Sequence, residues 1–203
     1  MGRGARTDRH PRLPVLGHPR HLKHDPALLL ELAAAVTQHA KVVVVSSGIG
    51  ADWVREPAAQ RRLDNLDVLP FQPYERLPEV FASGDVLVAL LEPDAGVFSV
   101  PSKALSYHCA GQAILCAVPA ENLAARIVER HETGLTVAPG DVGAFVAAAR
   151  RLLRDEGLRR ESGRNARRYA EATFDIAAIA DRFEAVIQRA RIRRGRLRAR
   201  AMA

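Results

Sequence analysis

Val86-Leu87-Val88-Ala89-Leu90-Leu91 is followed, after a loop that holds Gly96, by Val97-Phe98-Ser99-Val100-Pro101-Ser102-Lys103-Ala104-Leu105-Ser106-Tyr107-His108-Cys109-Ala110-Gly111. The first run is apolar throughout and reads as a buried strand. The second opens a helix at Pro101. A strand, a small-residue loop and a helix start carrying Ser102 and Lys103 together make a phosphate site. Backbone N–H groups point out of the first helical turn, the helix dipole adds partial positive charge, and Lys103 adds a full one. The same residues also make an ordinary strand-to-helix turn with a solvated lysine, and the local pattern does not separate the two.

Working outward, the chain alternates strand and helix. Ala27 to His39 has helical apolar spacing, with Asp25 as its expected cap and Pro26 in its first turn. Lys41 to Val45 reads as a strand, Ser46 to Gly50 as a turn, and Asp52 to Leu63 as a helix. Leu66 to Leu69 is a short strand stopped by Pro70. Pro73 to Ala82 is a short helix with Leu77, Val80 and Phe81 facing inward. Beyond Gly111 come strand Ala113 to Ala117, helix Ala120 to Arg130 and strand Leu135–Val137. Asp141 caps a helix to Leu153, and helices from Gly157 to Ala172 and from Ile176 to Ala190 follow. Alternation of this kind predicts an α/β fold: a Rossmann-like parallel sheet with helices on both faces, in a single domain. Ligands of such sheets bind outside the carboxyl ends of the strands. The expected division is a disordered basic head over 1–12, the sheet domain over 13–188 and an Arg-rich tail over 189–203. Within Pro11-Arg12-Leu13-Pro14-Val15-Leu16, Pro14 argues against a central strand, because proline removes a ladder donor.

The 203 residues are enough for a proper core. No apolar run approaches a bilayer-spanning length and no secretory h-region opens the chain, which predicts a cytoplasmic protein. The net charge of +7 is unevenly spread. Residues 1–24 carry +5, residues 189–203 carry +7 through seven arginines, and the remaining body carries −5. A specific nucleic-acid-binding domain would carry its basic charge on the folded body, so none is expected. The basic run Arg189 to Arg200 is expected to extend the last helix as a cationic ribbon making weak contact with an anionic membrane surface, or to be a frayed tail. Cys109 and Cys116 lack the spacing of a zinc or redox pair and read as buried free thiols.

Other features read as structure. Gly48-x-Gly50 follows a strand but lacks the third glycine and downstream acid of a dinucleotide loop. His18, His21 and His24 have no companion ligands and suggest no metal site. His108 reads as packed or surface-exposed rather than catalytic. Arg150, Arg151, Arg154, Arg159 and Arg160 read as a charged surface, with Glu156 and Arg160 spaced for an i,i+4 pair.

Five ordered segments carry a resemblance. They are Lys23-His24-Asp25-Pro26-Ala27-Leu28-Leu29-Leu30, Val68-Leu69-Pro70-Phe71-Gln72-Pro73-Tyr74-Glu75-Arg76-Leu77-Pro78, Phe98 to Lys103 with Ala110-Gly111, Gly134 to Asp141, and Asn165 to Ala170 with Phe174-Asp175. From about Gly17 to Ile187 the chain resembles the C-terminal, nucleotide-sugar-binding half of family-four GT-B glycosyltransferases. The nearest likeness is to the colanic-acid-type branch with a Pro-Ser-Lys loop. The resemblance implies that Lys23, Ser102 and Lys103 face the donor diphosphate. It implies that the Phe71-Gln72-Pro73 turn passes the base. Two glutamates of the family's Glu-x7-Glu pair fall on Phe98 and Ser106. Serine offers one short hydroxyl where glutamate would bind two ribose hydroxyls. Glu92 or Asp94 is the nearest carboxylate that could substitute, unless it is only a solvated loop residue.

The resemblance implies a hexosyltransferase-type enzyme of polysaccharide biosynthesis, with a nucleotide-sugar donor, expected to be a UDP-sugar, and no cofactor or metal. The acceptor would be a polysaccharide or a lipid-linked chain at the inner membrane face. The family's N-terminal acceptor domain is not in this sequence. It is expected as a separate polypeptide, or as lost through a frameshifted or fused start. The rival expectation is a truncated remnant that binds nucleotide or a partner without turnover. No catalytic residue is assigned.

Overall fold

The computed structural model describes residues 11–16, 27–93 and 100–201. Six strands form one sheet: β1 Arg12–Leu16, β2 Lys41–Val45, β3 Leu66–Leu69, β4 Val86–Leu90, β5 Ala113–Ala117 and β6 Gly134–Val137. All pairs are parallel and the order is β3-β2-β1-β4-β5-β6. Between them lie α1 Ala27–Ala35, α2 Ile49–Gln60, a 3-10 turn at Tyr74–Arg76 running into α3 Leu77–Ala82, α4 Ser102–Ala110 and α5 Leu123–Arg130. Three helices close the chain: α6 Val142–Arg154, α7 Glu156–Thr173 and α8 Ile176–Ala201.

The apolar runs behave as two-sided strands. On β4 and β5, Val86, Val88, Ala113, Leu115 and Ala117 face a core shared with α1 and α6. Leu87, Ala89, Ile114 and Cys116 face a second core with Ala104 and Tyr107 of α4 and Val128 of α5. Successive residues of a strand point to opposite faces, so both faces need apolar side chains. Each core is closed by helices, which is the Rossmann-like arrangement expected.

β1 corrects the expectation set by Pro14. It lies at the centre of the sheet and pairs with β2 over five positions, Pro14 standing opposite Val43. The Arg12 amide donates to Asp85 on the β4 side at 2.9 Å, and the Asp85 amide donates back to the Arg12 carbonyl at 2.8 Å. Backbone groups alternate sides along a strand, so position 14 faces β4 as position 12 does. The missing proline donor therefore falls on the β1–β4 side, where the ladder registers only Val15 with Val88. The long β2 pairing is untouched.

Two further expectations shift. Cys116 is buried, but Cys109 is exposed on α4. Arg150 and Arg159 are not merely solvated: Arg150 donates to the Ala35 carbonyl at 2.8 Å and Arg159 to the Leu152 and Leu153 carbonyls, each at 2.6 Å. Each satisfies carbonyls left over at a helix C-terminus. Glu156 and Arg160 do pair, at 2.6 Å. Leu77, Val80 and Phe81 are half-buried, Phe81 meeting Tyr107 edge-on at 5.6 Å.

Candidate functional site

Because all six strands run in one direction, all the loops after them open on one edge of the sheet. Sequence order reverses between β1 and β4, and the crevice at that reversal is where parallel sheets of this order bind ligands. Lys23, in the segment that follows β1, lies outside the described residues. The connection after β4, of which residues 91–93 and 100–101 are described, leads into α4.

Helix α4 begins at Ser102 behind Pro101, which is extended at φ −64°, ψ 103°, and no side chain caps the helix. The Ala104 amide is taken by the Pro101 carbonyl at 2.9 Å. Ser102 and Ser106 are exposed and one helical turn apart, so they share a face. Lys103 is half-buried and has no ion-pair or hydrogen-bond partner among the described residues. Desolvation lowers its amine below the ordinary 10.5. A partly desolvated, unpaired cation in the first turn of an uncapped helix gains from any anion that reaches it.

The helix is held from behind. The Tyr107 hydroxyl, fully buried, donates to the Val88 carbonyl at 3.2 Å. His108 is also fully buried and is a packing residue, with Nδ1 2.6 Å from the Ala104 carbonyl and Nε2 3.1 Å from Thr133 Oγ1. Gly111 ends the helix at φ 66°, a left-handed conformation that suits glycine. Its carbonyl lies where a β-carbon on Gly163 of α7 would come within 2.5 Å, so α7 seats directly against the end of α4.

On the far side, β3 delivers Phe71 and Gln72. The Phe71 amide donates to Ser47 Oγ at 3.2 Å and Gln72 Nε2 donates to the Pro70 carbonyl at 2.9 Å. Phe71 is 42% exposed, and Ile49, Trp53, Leu69 and Tyr74 add apolar surface on the same two connections. β3 and β4 are three strand spacings apart, about 14 Å. The Phe71-Gln72 turn and the Lys103 helix start thus stand at the same edge of the sheet, three strand positions apart. Glu92 is half-buried, two residues past the end of β4. Asp94 and Phe98 lie outside the described residues.

Reading the sequence missed Ser46. It follows β2 with its amide on the Leu69 carbonyl at 2.9 Å, is 1% exposed, and its hydroxyl has no partner. Nothing in the Ser46-Ser47 pair signals which hydroxyl would be buried. Among the described residues no group of three His, Cys, Asp or Glu is placed to hold a metal ion, and no helix is long and apolar enough to cross a membrane.

A family model described as "Glycosyl transferases group 1" matches residues 12–169. The chain is 28% identical over 141 residues to a protein of Escherichia coli (strain K12) named as a colanic acid biosynthesis glycosyl transferase, WcaI. That match takes in 69% of this chain and 34% of the relative, so the chain spans about a third of the curated protein's length. Among solved structures, Anabaena HepE in complex with UDP is similar at a TM-score of 0.71 and 16% identity, over 88% of this chain and 49% of that one. The C-terminal domain of the group 1 family glycosyl transferase LpcC of Francisella tularensis is similar at 0.63 and 16% identity, over 82% of this chain and 87% of that one. At these identities the structural likeness concerns the fold.

Proposed function

The chain belongs to the group 1 glycosyltransferases, and on that premise we propose that it is the C-terminal, donor-binding half of a GT-B enzyme, taking a UDP-sugar. The observation that carries the reading is Lys103: half-buried, unpaired among the described residues, and in the first turn of a helix that no side chain caps. Ser102, Lys103 and the first-turn amides of α4 hold the diphosphate. As the sugar–phosphate bond breaks, negative charge grows on the leaving diphosphate, and these fixed donors stabilise it. The family resemblance assigns Lys23 as a second cation for the same diphosphate.

The Phe71-Gln72 turn, pinned by Ser47, passes the base, and Ser106 with Glu92 serves the ribose side. The crystallised HepE complex with UDP supports the donor class. The name of the WcaI relative supports a place in polysaccharide biosynthesis; the proposed acceptor is a polysaccharide or lipid-linked chain at the inner membrane face. Transfer requires an N-terminal Rossmann half to hold that acceptor, whether as a separate polypeptide or as part of a longer chain. Contact of Arg189–Arg200 with the membrane would keep the domain near such an acceptor.

Calorimetric titration of the chain with UDP, GDP, their sugars and uridine tests this. UDP and UDP-sugars bind, and Lys103→Ala weakens them by about tenfold or more while leaving uridine little changed. Equal loss for uridine and UDP refutes the role of Lys103. Silence towards every nucleotide at millimolar concentration refutes donor binding.

A further inference from the structure

We propose that Gly163 and Arg167 of α7 are positioning residues for the diphosphate site. They hold the C-terminal end of α4 so that Ser102 and Lys103, at its other end, stand where a donor diphosphate needs them. The inference rests on the donor reading and extends it to residues at the opposite edge of the sheet, beside the start of β5.

No side chain caps the first turn of α4, so its place is set from behind. Of the described elements, α7 makes the most extensive contact with α4. Gly111 and Gly163 meet backbone to backbone. A β-carbon on Gly163 would stand 2.5 Å from the Gly111 carbonyl oxygen, and one on Gly111 would stand 3.6 Å from the Gly163 carbonyl oxygen. Arg167 lies one turn further along α7, on the same face. Its Nη1 donates at 3.0 Å to the carbonyl of Cys109, in the last turn of α4, and its Nε donates to Glu171 at 2.7 Å. The guanidinium is therefore held on both sides. Tyr169 of the same helix packs on His108 at 5.0 Å, and His108 Nδ1 lies 2.6 Å from the Ala104 carbonyl, in the turn that carries Lys103.

Tyr107 makes α4 a lever. It is fully buried, its hydroxyl donates to the Val88 carbonyl, and its ring meets Phe81 edge-on. It stands four residues from Lys103 and four from Gly111. Each arm is thus about 6 Å long, and a displacement at Gly111 reappears at Lys103 with little loss. A methyl group on Gly163 must part the two helices by about 1 Å to reach an ordinary contact. A misplacement of that size can cost up to about a hundredfold. Arg167 and Glu171 are both more than half exposed, and surface ion pairs add little stability. The double attachment of Arg167 thus matters for where α4 lies more than for whether the domain folds.

Calorimetric titration of the full chain with UDP and with uridine, alongside an NMR titration of the Lys103 amine, tests the proposal. Gly163→Ala should weaken UDP by about tenfold or more and uridine by less than about twofold. Arg167→Ala should weaken UDP by about threefold, and Arg167→Lys, which keeps a donor for the Cys109 carbonyl, should recover part of that loss. In a Lys103→Ala background the effect of Gly163→Ala on UDP should shrink to under about threefold. The Lys103 amine, lowered by burial, should titrate nearer to 10.5 in Gly163→Ala. Equal losses for UDP and uridine, or an undiminished loss without Lys103, overturn the positioning role. So does a Lys103 titration that Gly163→Ala leaves unmoved. Arg167→Ala, at an exposed position, carries the same comparisons if Gly163→Ala lowers the folded fraction. A wild-type chain that is silent towards UDP while Gly163→Ala still moves the Lys103 titration refutes the donor reading and leaves the lever standing.

Discussion

The pyrrolidine ring of Pro14 fills the space that any side chain on Gly84 would need: a β-carbon built there stands 2.3 Å from both Cδ and Cγ of the ring. A central-strand proline is thus accommodated by a glycine seventy residues away. The ring is stiff, so it cannot yield as a long side chain would. Gly84→Ala should destabilise the domain by about 1–3 kcal/mol through overpacking. Pro14→Ala should remove most of that cost. Denaturant unfolding of the two single variants and the double variant measures the coupling, and additive losses would contradict it.

Lys103 should report itself through pH. Its amine titrates below 10.5 in the folded chain because burial disfavours the charged form. Between that lowered value and 10.5 the unfolded chain holds more protons, so stability rises with pH across the window. Lys103→Met should abolish that part of the rise. Binding a diphosphate favours the charged amine, so in the same window UDP should draw a proton from solvent. Calorimetry in buffers of different ionisation enthalpy detects the uptake.

His108 sets the acid limit. Desolvation lowers its pKa below 6.5, the bond to the Ala104 carbonyl opposes that shift, and His131 adds to it. The neutral ring donates from Nδ1 to Ala104 and accepts from Thr133 at Nε2. As pH falls below 6.5 the unfolded chain takes up a proton before the folded one, so the stabilisation present above 6.5 is lost. His108→Gln should cost roughly 1–3 kcal/mol near neutrality. The gap between variant and wild type should narrow on acidification in paired unfolding curves.

The two thiols should differ sharply. Cys109 is exposed, while Cys116 is fully buried and its thiol is pushed up to about 12. The thiolate is the reactive form. A disulfide reagent should modify one thiol per native chain, and mass mapping should place it at Cys109. Cys116 should react only after unfolding, and Cys109→Ser should leave the native chain inert.

Much of the architecture was legible because burial leaves a local mark. Val86 to Leu91 and Ala113 to Ala117 are apolar at every position, as strands covered on both faces must be, and the helix at Ser102 announces itself after Pro101. Asp141 was readable as a cap, and its carboxylate does accept the Ala144 amide at 2.8 Å. The site was legible as loops and residue types, but not as a shape. Nothing local tells Ser46 that its hydroxyl will be buried.

By itself, then, the sequence determined the alternation of parallel strands with helices, the helix start that carries Lys103, and the basic end of the chain. Only the tertiary structure decided that β1 lies at the sheet centre despite Pro14, that Cys109 faces outward while Cys116 does not, and that Arg159 ends a helix. It alone decided that Ile176, Phe183, Val186 and Ile187 of α8 stand exposed among the described residues. The physical reason is range. Periodicity within ten residues records whether a side chain will be buried, whereas strand order and the partner that covers a face depend on contacts between segments far apart in the chain.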